Sequence, residues 1–165
     1  MKKTGYILIT LIIVAVSCTT TKYKGISKEE RSVIKYEAVK KAVEQQQMMV
    51  KVNRLHTKRG RVLDMNPDMN FLIINKDRVR ISLGYSGRSY SVRTIAAINM
   101  EGEILSREIS KRDKGGYDIK LDASQGSEKF TINMTVNSNG YVSFNIINSR
   151  IDLTRYSGNL RGLQN

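Results

Sequence analysis

The strongest constraint on the fold is a pair of strictly alternating segments near the carboxyl end of the chain. Apolar residues occupy every second position: Phe130, Ile132, Met134 and Val136, then Val142, Phe144 and Ile146. A period of two places these side chains on one face of a strand. The connection between the segments contains Asn139-Gly140, which favours a type I′ turn with positive φ at both residues. The pattern predicts an antiparallel hairpin with one buried face.

The same period recurs through most of the chain that precedes this hairpin. In segment 77–84, for example, Val79, Ile81 and Leu83 alternate with Arg78 and Arg80, so the two arginines should point away from the core. Further strands are predicted on the same grounds at residues 48–53, 61–65, 70–74, 95–101, 104–111 and 117–121, with a short last strand at 151–153.

One helix is predicted before the first strand. Ser27 and Glu30 have the spacing of a capping box, with Ser27 as the N-cap. Tyr36, Val39, Ala42 and Val43 then fall on one side of a helical wheel, which predicts a helix over residues 28–46. No crossover helices follow, so a parallel sheet is excluded. The fold class is α+β and mainly β: an N-terminal helix and then about eight antiparallel strands, forming a curled sheet, a sandwich or an open barrel.

The first residues have the form of an export signal. Lys2 and Lys3 precede an apolar run at 6–14, which is short for a membrane span. Small residues then lead into Cys18, the pattern of a bacterial lipobox, in which the signal is removed and the new terminal cysteine is acylated. The alternative is an uncleaved signal anchor with an incidental cysteine. The predicted organisation is a signal peptide at 1–17, a lipidated tether at 18–27 and a single domain at 28–165.

This organisation predicts a location in the cell envelope, with the chain anchored in the membrane through lipidated Cys18. Residues 19–24 contain no acidic side chain, although acidic residues after the cysteine mark many lipoproteins that are exported to the cell surface. We therefore expect the domain on the periplasmic face of the outer membrane.

The chain is strongly basic, with a formal net charge of +13. The cations form two runs: Lys51, Arg54, Lys58, Arg59 and Arg61, then Lys76, Arg78, Arg80, Arg88 and Arg93. An exported protein does not encounter nucleic acid. The predicted partners are therefore an anionic glycolipid, peptidoglycan or an acidic protein. The alternative is a solvated surface without a partner. If Arg78 and Arg80 pair with acids such as Asp77, Glu101 or Glu103, they form an ordinary surface network. If they are unpaired beside Lys58, Arg59, Arg61 or Arg88, they indicate an anionic partner.

A second candidate binding group follows the strand at 77–84. Tyr85, Arg88 and Tyr90 could form a flat platform that stacks on a ligand and donates bidentate hydrogen bonds. The alternative interpretation is that one tyrosine packs into the core while Arg88 binds a loop carbonyl.

Catalytic patterns are scarce in the sequence. His56 is the single histidine, and no cysteine nucleophile or G-x-S-x-G motif accompanies it. Asp64 and Asp68 could pair for glycoside chemistry, but carboxylates near a turn are usually solvated. No cysteine or histidine cluster suggests a metal. We therefore expect no enzyme activity, no catalytic residue, no metal and no cofactor.

Several short motifs occur in an order typical of one family. They are Arg59-Gly60-Arg61, Asn70-Phe71-Leu72, Leu83-Gly84-Tyr85-Ser86-Gly87-Arg88-Ser89-Tyr90-Ser91, Lys114-Gly115-Gly116-Tyr117 and Tyr156-Ser157-Gly158. The sequence resembles the lipoprotein family of domain of unknown function 4251, found mainly in Bacteroidota, over residues 35–160. It departs from the family between Val92 and Asn99. The family has no established activity, so the resemblance implies no mechanism.

Two functions from different classes are compatible with these features. The first is a non-catalytic envelope lipoprotein that binds or scaffolds an anionic component or a protein at the membrane surface. The alternative is an inhibitor of an exported hydrolase, which would have to be acidic because basic lysozymes would be repelled.

Overall fold

The computed structural model describes residues 27–57, 59–84, 97–148 and 151–163. Its elements are α1 (Lys28–Glu44), β1 (Gln47–His56), β2 (Val62–Asp64), β3 (Phe71–Asn75), β4 (Arg78–Gly84), β5 (Ala97–Lys111), β6 (Tyr117–Gln125), β7 (Glu128–Val136), β8 (Tyr141–Asn148) and β9 (Ile151–Gly162). Within these residues, no helix is both long enough and apolar enough to cross a membrane.

The strands form one antiparallel sheet that closes on itself. Its order is β2-β1-β3-β4-β5-β6-β7-β8-β9, and β9 also pairs with β1. β2 and β3 share one edge of β1: β3 pairs with residues 47–51 and β2 with residues 54–56. Eight strands therefore make a closed barrel, and β2 is a short addition beside β1. The predicted mainly antiparallel β fold is confirmed, with a barrel that is closed rather than open.

The barrel interior is filled by the alternating apolar positions. Leu72, Ile74, Ile132 and Val142 are each 0 % exposed. The rings of Phe144 and Tyr156 stack with their centroids 5.5 Å apart. The Tyr156 hydroxyl donates a 3.1 Å hydrogen bond to the Gly84 carbonyl, which satisfies its polar group inside the core. Small barrels of eight strands are packed in this way, so the outer surface is the natural place for binding.

Helix α1 packs at one end of the barrel through its carboxyl-terminal half. Val39, Ala42 and Val43 are buried, as the wheel predicted, whereas Tyr36 on the same face is only partly buried. The Ser27–Glu30 capping box is present, with both reciprocal hydrogen bonds formed. The helix ends at Glu44 rather than at residue 46, because Gln46 has a φ of 56° and the left-handed conformation stops the helix.

Three local predictions are corrected. The turn between β7 and β8 is not type I′: Gly140 has a φ of 83°, whereas Asn139 is not among the residues with positive φ. The loop has one more residue than type I′ needs, since Asn137 donates to Tyr141 and Gly140 donates to Asn137. Residues 97–101 and segment 104–111 belong to a single strand, β5, with an irregularity between Ile104 and Ser106, and residues 95 and 96 lie outside the described residues. The last strand is much longer than predicted.

Candidate binding surface

The strand order brings the described members of the two basic runs onto one side of the barrel. β3 lies between β1 and β4, so the outward side chains of Lys51 and Arg54 stand two strands from those of Arg78 and Arg80. β9 lies on the other edge of β1 and adds Arg161. We call the outward face of β9, β1, β3 and β4, with the β1–β2 and β3–β4 turns, the cationic wall.

An arginine stands at each end of one row across this wall. Arg161 pairs with Met49, Met49 with Ile73, and Ile73 with Arg80. Neighbouring strands are about 4.8 Å apart, so the backbones of Arg161 and Arg80 are separated by roughly 14 Å. Phe71 lies beside Ile73 on the same face, and the Arg80 guanidinium sits 5.8 Å from its ring centroid. Met49, Phe71 and Ile73, which we call the apolar patch, are all partly exposed.

Some cations of the wall are neutralised by neighbouring acids. The pairs are Lys51 with Asp68 at 2.7 Å, Arg54 with Asp64 at 3.9 Å, and Arg78 with Glu101 at 3.4 Å. The hydrogen bond from Lys51, and then its charge, holds the pKa of the Asp68 carboxyl below its usual range. Exposed pairs of this kind contribute little to stability. Arg78 therefore meets the condition for an ordinary surface network.

Other cations of the wall have no acid partner in the part of the chain that the structure describes. They are Arg59, Arg61, Lys76, Arg80, Arg155 and Arg161, of which Arg155 lies at the edge of the wall and also lines the shallow groove on the far side of the barrel. Arg80 faces Glu101 across β4 and β5, yet that carboxylate binds Arg78. Like charges repel one another, and an anionic partner would relieve the repulsion that Glu101 and Glu103, opposite Arg80 and Arg78, do not offset. Arg80 meets the first half of the condition for an anionic partner, because it is unpaired among the described residues, but its cross-strand neighbours are Ile73 and Glu101 rather than Arg59 or Arg61.

The structure describes some of the predicted site residues and not others. Arg59 and Arg61 are exposed at the β1–β2 turn, and Arg78 and Arg80 are exposed on β4. Lys58, Cys18 and the platform of Tyr85, Arg88 and Tyr90 lie outside the described residues. The sequence analysis missed Arg161 because it belongs to neither basic run. Only the closure of the barrel between β1 and β9 brings it beside Met49.

The candidate catalytic residues make contacts within the barrel and on its surface. His56 Nε2 lies 2.9 Å from the Ser157 hydroxyl, but Ser157 is 0 % exposed and so is closed to a substrate. Asp64 and Asp68 each bind a cation of the wall. Among the residues that the structure describes, no cluster of histidine, cysteine, aspartate and glutamate could hold a metal ion.

The far side of the barrel carries a shallow groove of a different character. It has a volume of about 440 Å³, is lined by outward residues of β5 to β9 and includes an Asn133–Asn145 hydrogen bond of 3.2 Å. Its charged lining residues are Glu108, Asp118, Lys120 and Arg155, two acids and two bases. This balance of charge gives the groove no preference for anions, in contrast to the cationic wall.

Comparison with known proteins agrees with this architecture. The chain is similar to a crystal structure of a DUF4251 family protein from Bacteroides eggerthii, with a TM-score of 0.67 and 17 % identity. The match covers 78 % of this chain and 88 % of the other. No curated protein matches the sequence. The model of the family described as "Domain of unknown function (DUF4251)" matches residues 30–160. The chain therefore belongs to the DUF4251 family.

Proposed function

We propose that this protein is a non-catalytic envelope lipoprotein that binds or scaffolds an anionic component at the membrane surface through its cationic wall. The lipobox before Cys18 supports a lipid anchor on the periplasmic face of the outer membrane. An acyl anchor combined with a basic surface is a common arrangement for stable attachment at membranes.

One observation carries the proposal: among the described residues, Arg80 and Arg161 have no acid partner, as is true of Arg59, Arg61, Lys76 and Arg155, although acids pair with other cations of the same wall. Acids are present on this side of the barrel, and they bind Lys51, Arg54 and Arg78. Arg80 and Arg161 end one row of side chains and are exposed. Guanidinium groups bind phosphate and carboxylate through paired hydrogen bonds, so this row is suited to an anionic partner.

Binding experiments can use the chain from residue 19 onwards, because every described helix and strand lies after residue 27. The probes are purified peptidoglycan sacculi and vesicles of phosphatidylglycerol, with phosphatidylcholine vesicles as the neutral reference. We expect binding to at least one anionic probe that weakens steeply with salt, since screening shortens to a few ångströms near 1 M. No binding to either anionic probe at low salt would reject the proposal.

The double variant Arg80→Gln/Arg161→Gln tests the wall itself. Each basic residue near an anionic surface contributes about 1 kcal/mol, so the pair should account for roughly 30-fold in affinity. The matched control is Lys111→Gln/Lys129→Gln, which removes two exposed charges from β5 and β7. We expect the control to lose only a small part of the binding. Equal losses in both variants would mean that net charge, and not the wall, attracts the partner.

A further inference from the structure

We infer that the anionic component is the phosphate-bearing surface of the lipid bilayer, with the apolar patch of the cationic wall resting at the boundary between head groups and acyl chains. This inference rests on the proposed function and identifies the partner of the same surface. It follows from the combination of unpaired arginines with outward apolar side chains.

The arginines and the apolar patch are arranged in an order that matches a phospholipid surface. Met49 and Ile73 lie side by side between Arg161 and Arg80. Because the Arg80 guanidinium lies over the Phe71 ring, a phosphate bound to Arg80 would be held next to apolar surface. In a bilayer, the phosphates likewise lie next to the part of the acyl chains that is attached to glycerol. A peptidoglycan carboxylate would satisfy the arginines but would offer nothing apolar to the patch.

Two exposed apolar residues away from the cationic wall, Leu105 and Ile147, lack this combination. Leu105 and Ile147 are 56 % and 47 % exposed, and both line a second concavity. That concavity also contains Asp122, whose carboxylate accepts hydrogen bonds from Thr131 and Ser106. These bonds, first that from Thr131 and then that from Ser106, lower the pKa of Asp122, so its negative charge persists at neutral pH. Lys129 lines the same concavity, so the two charges balance and this side offers no excess of cations to an anionic membrane.

A tryptophan reporter tests the orientation directly, because the chain contains no tryptophan. Phe71→Trp places the indole in the apolar patch and keeps an aromatic ring under Arg80, with which tryptophan interacts at least as well. Ile147→Trp places the same reporter on the opposite side. The full chain, as the cell processes it, is reconstituted in phosphatidylglycerol vesicles whose lipids carry bromine on the acyl chains, a quencher of indole fluorescence.

We expect the emission of Trp at position 71 to shift to shorter wavelength and to be quenched, whereas Trp at position 147 keeps its emission. Interfacial insertion reaches about 5–10 Å, so bromine near the head-group end should quench more than bromine at mid-chain. Adding Arg80→Gln/Arg161→Gln to the Phe71→Trp chain should restore fluorescence, as should phosphatidylcholine vesicles.

Equal emission from the two reporters, or quenching at position 147 alone, would overturn the inference. The proposed function fails separately, through the binding assay with sacculi and vesicles. If the domain binds sacculi through Arg80 and Arg161 while the reporter at position 71 stays unquenched, the partner is peptidoglycan rather than the bilayer surface. If neither anionic probe is bound, the proposed function itself is rejected.

Discussion

The pairing of β1 with β9, which we call the seam, closes the barrel. We expect this pairing to be highly sensitive to substitution of Gly158. Gly158 pairs with Val52 on one side and with Val142 on the other. A Cβ at this position would lie 2.0 Å from the Lys51 carbonyl oxygen and 2.9 Å from the Val52 Cα. Contacts below 3.0 Å essentially never occur for real Cβ atoms. In Gly158→Ala, the two strands must therefore move apart by about 1 Å.

This displacement should be costly because both obstructing atoms belong to the backbone. Hydrogen bonds between strands weaken beyond about 3.2 Å, and a buried backbone group left without a partner costs about 1–3 kcal/mol. Loss of one or two such bonds gives a destabilisation on the order of 3–5 kcal/mol. Since whole domains are stable by about 5–15 kcal/mol, the variant should unfold at a clearly lower urea concentration.

The matched control is Gly162→Ala in the same strand, where a Cβ meets no atom within 4 Å. We expect the control to change the free energy of unfolding by less than about 0.5 kcal/mol. Urea titrations followed by circular dichroism would give both values with a common slope. A loss below about 1 kcal/mol for Gly158→Ala, or equal losses in both variants, would refute the tight approach of β1 and β9.

Three further predictions concern the core, a surface carboxylate and the anchor. Ile132→Ala should destabilise the fold by about 2–5 kcal/mol in thermal melts, whereas Ile147→Ala, at an exposed position, should cost less than about 0.5 kcal/mol; similar losses would contradict the assigned face. Thr131→Ala should raise the pKa of Asp122 towards 3.8, because it removes the hydrogen bond that lowers it most; an unchanged carboxyl titration by NMR would contradict this. The lowered pKa of Asp122 stabilises the fold at pH values above the pKa of this carboxyl in the unfolded chain. This stabilisation is lost as the pH falls through the pKa of Asp122 in the folded chain. Cys18→Ser should release the protein from the membrane fraction, and unchanged attachment would reject lipidation.

Local periodicity predicted most of the strands because most of them have one buried and one outward face, although β2 is exposed throughout. The β7–β8 pair shows this most clearly, since Ile132 and Ile146 are opposed in register and both are buried. The prediction was weakest at β9, where Tyr156, Ser157 and Gly158 are all buried in succession. Three consecutive buried positions break the period of two. They arise from the irregular pairing with β1, which no local pattern reveals.

Closure of the barrel could not be derived from the sequence for a related reason. Hairpin spacing predicts which strands are neighbours along the chain, but β1 and β9 are separated by nearly the whole domain. A curled sheet and a closed barrel have the same alternation in every strand. The difference depends on whether the first and last strands meet, and Gly158 permits this close approach.

The same closure determines how much of the candidate site was predictable. Arg78 and Arg80 were recognised from alternation within one strand, and the structure then separated them, because Glu101 binds Arg78 alone. Which of two neighbouring arginines an acid selects depends on side-chain geometry that the sequence does not contain. Arg161 was missed because its neighbours on the wall are distant in sequence.

The arrangement of the cationic wall therefore depends on closure of the barrel between β1 and β9. Arg161 reaches the row of Met49 and Ile73 only because β9 pairs with β1, and Gly158 lies in the part of that pairing with the closest backbone contact. A Gly158→Ala chain that still folds should hold Arg161 farther from Arg80. Under the proposed function, it should bind anionic vesicles more weakly although no charge has been removed. Adding Arg161→Gln to that chain should then reduce binding less than it does in the native chain. A full additional loss would show that Arg161 acts independently of the seam.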